Sequence, residues 1–462
     1  MYKRQFKYRA NKPLIPISIR QLISTINGKF IGKKFDNTNF IGNFSIDTRT
    51  LKNDDIFIAI IGERFDGNDF IEEAFKKGAL FVISSKPNIN NEQIIEVENT
   101  NTALQNIASF LIKKINPKVI AITGSNGKTT TKELASMILR NYFSDKNVLV
   151  SKGNFNNNIG LPLTILRLKK EHKYILLEMG MNHKGEIDQL CKIAPPDLAV
   201  ITNIGEAHIE NFKSRDDIAL AKREILTGAK KNFIAILPAE DDYYDFLKST
   251  PNIKKVIKFG FDETCDIRFH SDENLYSIMT KKIAIHSKLI GEHNRTNIMA
   301  AIAIGEALDI PCNEIKVALD GHETISGRLE VKRLRKDIVL IDDSYNANPS
   351  SMMRAIDVLA EYTGNKILVI GDMAELGNFS VKHHKDLAKY ILDKKIDLVF
   401  GVGKMTKLTI GILGDLGRWY ESNIDLANDL EKLLKKECIV LIKGSRFMKM
   451  EEIVKDLESK NV

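Results

Sequence analysis

The loop at residues 122–130, "ITGSNGKTT", is the feature that most constrains the fold of this chain. It follows the apolar run "KVIAIT", which is typical of a buried strand, and it precedes "TKELASMILRNYF", whose pattern predicts a helix. A strand, a glycine-containing loop ending in Gly-Lys-Thr and a helix together predict a phosphate-binding loop. The common spacing G-x-x-x-x-G-K-[S/T] has a glycine where this chain has Ile122, so the loop is a shorter variant. A plain tight turn at Asn126-Gly127 is the alternative, and it leaves the Lys-Thr-Thr that follows unexplained.

Each residue type in such a loop has an expected role. Lys128 is expected to reach the β- and γ-phosphates of a nucleotide, and the Thr129 hydroxyl is expected to bind Mg²⁺. The N–H groups of residues 124–130 lie at a predicted helix N-terminus, where anions are favoured. We therefore predict an ATP-binding loop made of Thr123, Gly124, Ser125, Asn126, Gly127, Lys128, Thr129 and Thr130.

Strand and helix patterns alternate along the chain after this loop. The apolar runs "YILLEMG", "LAVITNIG" and "FIAILP" are each followed by a polar loop and a helical pattern, which predicts a doubly wound parallel sheet. The alternation restarts with "DIVLIDDSY" after residue 326, and residues 17–100 mix short strands with helices. A length of 462 residues also suggests about three domains. We predict an α/β fold with a small α/β domain at 1–100, a central P-loop parallel-sheet domain at 101–325 and a Rossmann-like domain at 326–462.

The segment "NTALQNIASFLIKKI" has the apolar spacing of an amphipathic helix. Asn101 or Thr102 is the predicted N-cap, and Pro117 is expected to stop the helix. The residues expected on its buried face are Leu104, Ile107, Ala108, Leu111, Ile112 and Ile115.

Composition argues against several classes of protein. The sequence has no run of about 18 apolar residues, so no membrane span is expected. The basic segment 1–16 lacks the apolar region of a secretory signal; a disordered tail is the first interpretation, and an organelle transit peptide, disfavoured by the near absence of serine, is the second. The four cysteines lie far apart, which predicts reduced thiols in the cytoplasm rather than disulfides or a zinc site. The net charge of +8 is spread along the chain without a nucleic-acid motif, so it reflects a lysine-rich composition or a preference for anionic substrates, and no nucleic-acid partner is expected.

Two further polar residues follow predicted strands of the same sheet. Glu178 ends "YILLEMG", and His208 lies in "VITNIGEAH". Open α/β sheets bind ligands at the carboxyl ends of their strands, where a carboxylate is a natural Mg²⁺ ligand and a histidine an acceptable one. Each residue alone is more often a surface or packing residue than a metal ligand, but beside a phosphate loop in the same sheet the two together favour a metal site. Lys222, in the helical pattern "IALAKREIL", is not distinguished by its pattern from a solvated helix lysine.

Several stretches together identify a family. The short loop "TGSNGKTT", the segments "EMGMNHKGEI", "TNIGEAHIE" and "AKREIL", and the longer stretches "SKGNFNNNIGLPLTIL", "DDSYNANPSSM", "IGDMAELG" and "KGSRFMKME" resemble the Mur ligases. These are the ATP-dependent amide ligases that build the peptide of bacterial cell-wall precursors. The resemblance spans residues 45–451. It implies an N-terminal domain for a uridine nucleotide substrate, a central domain for ATP and a C-terminal domain that brings the amine.

The resemblance also implies roles for individual residues. Lys128, Glu178, His208 and Lys222 would form the catalytic set. Thr129 would bind Mg²⁺ together with Glu178 and His208, and Lys222 matches a lysine that many family members carry as a carbamate, which would add a ligand for Mg²⁺. The remaining implied contacts are adenine with Asn294 and Asn297, the phosphates with Arg328, ribose with Asp343, the uridine diphosphate with Ser45, Asp47, Thr48 and Arg49, the muramoyl peptide with Asn154, Asn157 and Asn158, and the incoming dipeptide with Arg446.

The chain departs from the family pattern at two loop positions of the uridine site. Asn53 stands where the family usually has glycine, and Asn68 replaces the histidine of a common "DGH". These differences concern the details of the uridine pocket.

The implied activity is the joining of D-alanyl-D-alanine to UDP-N-acetylmuramoyl-tripeptide through an acyl phosphate, with ATP and Mg²⁺, by a cytoplasmic monomer of peptidoglycan synthesis. The third residue of the tripeptide, diaminopimelate or lysine, stays open, and so does carbamylation of Lys222. The alternatives are a sibling or folate-polyglutamylating ligase that adds a single amino acid, and a nucleotide-binding protein without catalysis. The last would be expected to lack Lys128, Glu178 or His208, and all three are present.

Overall fold

The computed structural model describes residues 17–32, 39–40, 43–62, 65–86, 93–321, 325–335, 338–434 and 437–460. The basic segment 1–16, interpreted above as a tail, lies outside these residues. Three larger sheets organise what is described, and the strands of each sheet fall within one of the three predicted domain ranges. Among the described residues, every helix is too short or too polar to cross a membrane. Cys191, Cys265, Cys312 and Cys438 are free, as expected.

The N-terminal part forms a mixed sheet of order β2-β7-β6-β5-β4. Strands β4 to β7 are parallel to their neighbours, and β2 pairs antiparallel to β7. Phe57, Val82 and Ile94 are buried together on one face of this sheet. The elements are β1 (Ile17–Ser18), α1 (Ile19–Thr25), β2 (Lys29–Ile31), β3 (Asn39–Phe40), β4 (Phe44–Ser45), β5 (Ile56–Ile58), α2 (Ile71–Lys76), β6 (Phe81–Ser84) and β7 (Ile94–Glu96).

The central part forms a sheet of order β16-β15-β14-β13-β12-β11-β8-β10-β9, parallel from β9 to β14 and antiparallel at the β14-β15-β16 edge. The short strands expected near residues 240–290 make up that edge. The elements are α3 (Thr100–Ile115), β8 (Lys118–Thr123), α4 (Lys128–Phe143), β9 (Val148–Val150), α5 (Gly160–Ile165), β10 (Tyr174–Glu178), α6 (Glu186–Ile193), β11 (Leu198–Ile201), α7 (Arg215–Thr227), β12 (Phe233–Pro238), α8 (Tyr244–Lys248), β13 (Ile253–Gly260), β14 (Ile267–His270), β15 (Leu275–Ile278), β16 (Lys281–Ile283), α9 (Glu292–Ala307) and α10 (Cys312–Leu319).

The C-terminal part forms a sheet of order β17-β18-β22-β19-β20-β21, parallel except for the edge strand β17. This arrangement confirms the predicted Rossmann-like alternation. The elements are β17 (Glu330–Arg335), β18 (Ile338–Asp343), α11 (Pro349–Ala360), β19 (Asn365–Gly371), α12 (Ser380–Asp393), β20 (Leu398–Val402), α13 (Thr406–Leu413), β21 (Gly417–Tyr420), α14 (Asn423–Leu433), β22 (Cys438–Lys443) and α15 (Glu451–Ser459).

Helix α3 corrects one prediction. Its N-cap is Asn99, whose side chain accepts a 3.0 Å hydrogen bond from the Thr102 backbone N–H, so the predicted cap at Asn101 or Thr102 was wrong. Four polar residues in a row could each have capped the helix, and Asn99 is the one whose backbone is extended. The predicted end is confirmed, because the helix stops at Ile115 before Pro117, with Asn116 in the left-handed region. The predicted face is buried as far as Ile112, and Ile115 is half-buried.

We expect Asn99→Ala to lower the free energy of unfolding by about 1 kcal/mol, because the first turn of α3 loses its side-chain acceptor. Urea unfolding would give the magnitude, and hydrogen exchange at the Thr102 amide would localise the effect. Thr102→Ala is the matched control, since that exposed side chain lies inside the first turn and alanine favours a helix. An equal loss of stability in the control would contradict the assignment of the cap.

Candidate functional site

The site is organised by strand β8 at the centre of the central sheet. From β8 the chain order diverges, to β10 and β9 on one side and to β11 and β12 on the other. Ligands bind at the carboxyl ends of the strands at such a switch point. In the parallel register Ile122 pairs with Glu178 of β10 and Thr123 pairs with Ile201 of β11. The register therefore brings together the loop after β8, the last residue of β10 and the segment after β11.

The loop after β8 has no room for a side chain at either of its two glycines. Gly127 has φ +82°, and a Cβ there would lie 2.2 Å from Asn297 Oδ1. A Cβ at Gly124 would lie 1.8 Å from Thr202 Oγ1. The Thr202 hydroxyl in turn donates a 2.6 Å hydrogen bond to the Asn126 carbonyl, and the Asn126 N–H donates to Asn203 Oδ1 at 3.0 Å. The segment after β11 thus holds the loop backbone and leaves its N–H groups at the start of α4.

Lys128, the first residue of α4, lies over this loop. Its Nζ donates to the carbonyls of Gly124 at 2.6 Å and Ser125 at 3.3 Å. Burial lowers the pKa of Lys128, while the nearby carboxylate of Glu178 acts in the opposite direction. A cation held over backbone N–H groups suits a phosphate.

Glu178 is a buried carboxylate, 2% exposed, with both oxygens engaged. Oε2 accepts from the Thr129 hydroxyl at 3.0 Å, and Oε1 accepts from Asn156 Nδ2 at 2.9 Å. Lys132 Nζ lies 3.7 Å from Oε2 and also contacts the Gly153 carbonyl and Glu133. Sequence reasoning missed Lys132 and Asn156; the position of Lys132, one helical turn after Lys128, was the available signal.

The donor set at Glu178 fits a hard divalent cation. A hydroxyl and a carboxylate oxygen 3.0 Å apart are oxygen ligands of the kind Mg²⁺ prefers. Among the described residues, His, Cys, Asp and Glu side chains form no cluster of three or more that could hold a metal by themselves. Mg²⁺ commonly binds one or two carboxylates and completes its coordination with water and substrate phosphates. The site therefore suits an ion that arrives with a nucleotide.

His208 and Lys222 are the two remaining residues of the central part that were predicted to bind the metal. His208 follows β11 with φ +64°, and its Nδ1 lies 2.6 Å from Oε2 of Glu375 in the C-terminal part. Lys222, in α7, is fully buried, and burial followed by the charge of Lys128 lowers its pKa well below the usual range. The pattern of α7 had given no reason to single this lysine out, and its burial does.

The C-terminal part contacts the phosphate loop directly. Asn348 Nδ2 donates to Asn126 Oδ1 at 2.7 Å, and Asn126 Nδ2 donates to Ser350 Oγ at 2.8 Å. Arg328 Nη2 lies 3.5 Å from Thr129 Oγ1, with its guanidinium 4.0 Å from the centre of the Tyr345 ring. Two parts of the chain thus meet at the loop, and sequence reasoning had not identified Asn348, Ser350, Tyr345 or Glu375.

Asp343 forms a buried ion pair at the end of β18. Its Oδ2 lies 2.6 Å from Lys443 Nζ, which also donates to the Asn346 carbonyl at 2.8 Å. Burial raises the pKa of Asp343 and lowers that of Lys443, and in each case the partner's charge opposes the shift. Asp343 Oδ1 also accepts from the Leu329 N–H, next to Arg328. The ion pair therefore holds Asp343, which was predicted to contact ribose, close to Arg328, which was predicted to contact the phosphates.

The predicted adenine residues are buried side chains of α9. Asn297 Nδ2 donates to Asn294 Oδ1 at 3.0 Å, Asn294 Nδ2 donates to the Ile290 carbonyl, and Asn297 Oδ1 lies 3.4 Å from Thr131 Oγ1. The side chain of Asn297 therefore packs against α4 at Thr131 and against the loop at Gly127. An open cavity of about 360 Å³ adjoins the loop on another side, and its lining includes Thr129, Met137, Ile325, Arg328 and Tyr345.

The other predicted substrate residues lie in two places. In the N-terminal part Arg49 Nη2 pairs with Asp47 Oδ2 at 2.6 Å, Asp47 N–H donates to Ser45 Oγ, and the Thr48 carbonyl accepts from Lys77. Asn157 Oδ1 accepts from the Gly160 N–H at the start of α5 and the Asn158 carbonyl accepts from Gln105, while Asn154 is an exposed residue of the same loop.

The two departures from the family pattern and Arg446 also have defined contacts. Asn68 Oδ1 accepts from Ser84 Oγ at 2.7 Å, and the Asn53 side chain packs where a Cβ on Gly78 would otherwise stand. Arg446 pairs with Glu451 at 3.1 Å and lies 5.6 Å from the ring centre of Tyr345. Tyr345 is thus a shared neighbour of Arg446 and Arg328.

Comparisons with known proteins agree over nearly the whole length. Family models match for "Mur ligase family, catalytic domain" at residues 40–123, "Mur ligase middle domain" at 122–305 and "Mur ligase, glutamate ligase domain" at 327–446. A relative from Buchnera aphidicola subsp. Baizongia pistaciae, named UDP-N-acetylmuramoyl-tripeptide–D-alanyl-D-alanine ligase, is 38% identical over 96% of this chain and 98% of its own. The crystal structure of MurF from Acinetobacter baumannii matches with a TM-score of 0.89 at 31% identity, covering 97% of this chain and 100% of its own. MurF ligase from Thermotoga maritima, solved in complex with ADP, matches with a TM-score of 0.81 at 30% identity, covering 91% and 98%.

We expect Gly127→Ala to weaken ADP binding at least about tenfold, because a left-handed residue costs about 1–2 kcal/mol and its Cβ would displace Asn297. Isothermal titration calorimetry with ADP and Mg²⁺ measures the change. Gly185→Ala is the matched control, since Gly185 also precedes a helix at φ +90° but has no atom within 4 Å of the added Cβ. Equal affinity in Gly127→Ala and the wild type would show that this loop is not the nucleotide cradle.

Proposed function

The chain belongs to the Mur ligase family, and on that premise we propose that it is an ATP-dependent amide ligase joining D-alanyl-D-alanine to UDP-N-acetylmuramoyl-tripeptide. The products are the pentapeptide, ADP and phosphate. The observation that carries the proposal is the match along nearly the full length of both chains to a relative named for this reaction. The reaction belongs to peptidoglycan synthesis, and we assign it to the cytoplasm, where nucleotide-linked precursors and free thiols are found.

In this proposal each of the three predicted domain ranges binds one of the three substrates. Residues 1–100 take the uridine nucleotide at the Asp47–Arg49 cluster, residues 101–325 take ATP, and residues 326–462 take the dipeptide near Arg446. The guanidinium of Arg446 has the fork geometry that suits a dipeptide carboxylate. Its neighbour Tyr345 also contacts Arg328, which ties the amine side of the site to the phosphate side.

The first step transfers the γ-phosphoryl group to the terminal carboxylate of the tripeptide. The carboxylate oxygen forms a bond to the γ-phosphorus, the bond from that phosphorus to the β-phosphate oxygen breaks, and ADP leaves. Catalysis of such transfers is mostly alignment and charge stabilisation. Lys128 and the loop N–H groups supply positive charge, and so does the guanidinium of Arg328, whose Nη2 lies 3.5 Å from Thr129 Oγ1. Mg²⁺, when bound by Thr129 and Glu178 together with His208, supplies further charge neutralisation to the phosphates.

The second step is attack of the D-alanyl-D-alanine amine on the acyl phosphate. A tetrahedral intermediate forms, phosphate leaves with the electron pair of the broken carbon–oxygen bond, and the amine proton passes to solvent. A dedicated general base is not required, because an α-amine with a pKa of about 8 is roughly one-tenth neutral near pH 7. The contacts of Asn348, Ser350 and Glu375 with the phosphate loop region close the site, which limits hydrolysis of the acyl phosphate by water.

We expect phosphate release from ATP only when D-alanyl-D-alanine is the acceptor, with a product mass equal to the pentapeptide. The assay supplies Mg²⁺ and either the diaminopimelate or the lysine tripeptide, so it also identifies the third residue. Single amino acids, glutamate among them, are the comparison acceptors. The background control is Glu178→Gln, which we expect to lose at least about 100-fold in kcat because the site loses its buried charge.

Turnover with a single amino acid would assign the chain to a sibling ligase of the same family. Binding of ATP without turnover for any acceptor would contradict the ligase proposal. Glu171→Gln serves as the matched substitution, since Glu171 is a half-exposed surface carboxylate. Its activity should equal that of the wild type.

We further propose that Lys222 carries a carbamate. A buried amine whose pKa is lowered holds the neutral form that attacks CO₂: a nitrogen–carbon bond forms, and the amine proton passes to solvent. The resulting anion faces the charge of Lys128 and suits a Mg²⁺ site. Burial of a cationic lysine beside another lysine would be costly, and the carbamate removes that cost.

Protein equilibrated with ¹³C-bicarbonate should show one carbamate resonance by NMR, and Lys222→Arg should abolish it. Activity should fall when CO₂ is removed from the buffer and return when bicarbonate is added. Lys132→Arg is the matched control, because Lys132 is equally buried but ion-paired with Glu133. A resonance that persists in Lys222→Arg would contradict the assignment.

A further inference from the structure

The contact between His208 and Glu375 joins the central and C-terminal parts of the chain at the reacting centre. His208 Nδ1 lies 2.6 Å from Glu375 Oε2. Within the part of the chain that the structure describes, this buried Nδ1 has no hydrogen bond of regular geometry, and the Glu375 carboxylate, 2.6 Å away, is the charged group that contacts it. Glu375 also lies near enough to Lys128 for each charge to influence the other.

Hydrogen bonds on both sides of Glu375 hold the segment 372–377 in the position that places Glu375 beside His208. The Ala374 N–H donates to Ser445 Oγ at 2.7 Å, and Ser445 Oγ in turn donates to the Ala347 carbonyl at 3.2 Å. On the other side of Glu375, the Gly377 N–H donates to Glu210 Oε2 at 3.1 Å, across the same junction as the histidine contact. Glu375 therefore lies between one anchor in its own sheet and one anchor in the central part.

Both contacting residues adopt a backbone conformation that L-residues rarely use. His208 has φ +64° and Glu375 has φ +61°. Non-glycine residues in the left-handed region are uncommon, and they persist where the surrounding structure holds them. Two such residues facing each other across a junction indicate that the direction of both side chains is constrained by the fold.

We propose that Glu375 is a positioning residue for His208: its carboxylate accepts the Nδ1 proton, which fixes the tautomer and leaves Nε2 unprotonated and able to bind a metal ion. Histidines that bind metals commonly give their other N–H to a carboxylate in this way. The inference rests on the proposed function, since it takes His208 as a Mg²⁺ ligand. It adds that the carboxylate which orients His208 comes from the C-terminal part. Docking of the C-terminal part would therefore also order the His208 side chain for metal binding.

The opposite role has a distinct signature. A carboxylate 2.6 Å from the imidazole could instead compete with the metal for the histidine. Removal of Glu375 would then tighten metal binding, whereas loss of a positioning group weakens it. The sign of the change separates the two roles.

The test measures Mn²⁺ affinity by electron paramagnetic resonance in the presence of ADP, so no turnover is needed. We expect Glu375→Ala to weaken Mn²⁺ binding by roughly 10- to 100-fold, the effect usual for partners of metal-binding histidines. Glu375→Gln should lose less, because its amide oxygen still accepts the Nδ1 proton without the charge. Glu210→Gln is the matched control, since it removes a carboxylate charge at the same junction while its amide oxygen still accepts from the Gly377 N–H that anchors the Glu375 segment.

The tautomer gives a second readout without metal. In protein labelled with ¹⁵N-histidine, the His208 signals, identified by their loss in His208→Ala, should show a protonated Nδ1 in the wild type. Glu375→Ala should remove this preference, and Glu210→Gln should keep it. A merely structural role for Glu375 would change stability without moving the tautomer.

The outcomes distinguish the inference from its premise. If His208→Ala weakens Mn²⁺ binding but Glu375→Ala leaves it unchanged or tighter, the positioning role is overturned and the metal role of His208 stands. If His208→Ala leaves Mn²⁺ affinity unchanged, His208 is not a ligand and the inference fails with its premise. A ligase that turns over normally in that case would leave the proposed reaction intact.

Discussion

The register of three parallel strands is the constraint on which the site depends. Strand β8 lies between β10 and β11, and hydrogen bonding between parallel strands brings their carboxyl ends to one edge of the sheet. The phosphate loop, Glu178 and the segment that ends in His208 therefore meet without any long-range loop excursion. A slip of one residue in β10 would move Glu178 to the other face of the sheet and break its hydrogen bond with Thr129.

Around that edge the contacts come from two parts of the chain. The buried contacts of Glu178 with Thr129 and Asn156 belong entirely to the central part, and so do the contacts that hold the loop backbone. The contacts of Arg328, Asn348 and Glu375 come from the C-terminal side of the chain. Electrostatic catalysis needs charges that are in place before the reaction, and here both parts of the chain contribute charged groups to the same edge.

The sequence predicted the alternating architecture well because apolar runs and glycine turns are local signals. The phosphate loop, Glu178 and His208 were found for the same reason: each follows a strand at a recognisable position. Local signals could not choose among four consecutive capping residues at Asn99, and they could not reveal that Lys222 and Lys132 are buried, because burial is decided by distant packing. Glu375 and Ser350 escaped notice since their partners lie more than a hundred residues away. The roles of the uridine, adenine and dipeptide residues stay predictions based on resemblance.

Asn126 uses its backbone and its side chain for different purposes. Its backbone N–H and carbonyl are bound by Asn203 and Thr202 within the central part, whereas both side-chain amide atoms are bound by Asn348 and Ser350. Separation of the two parts would break only the side-chain bonds. The loop backbone is therefore held by the central part alone, and the Asn126 side chain couples the C-terminal part to the loop without determining the loop's shape.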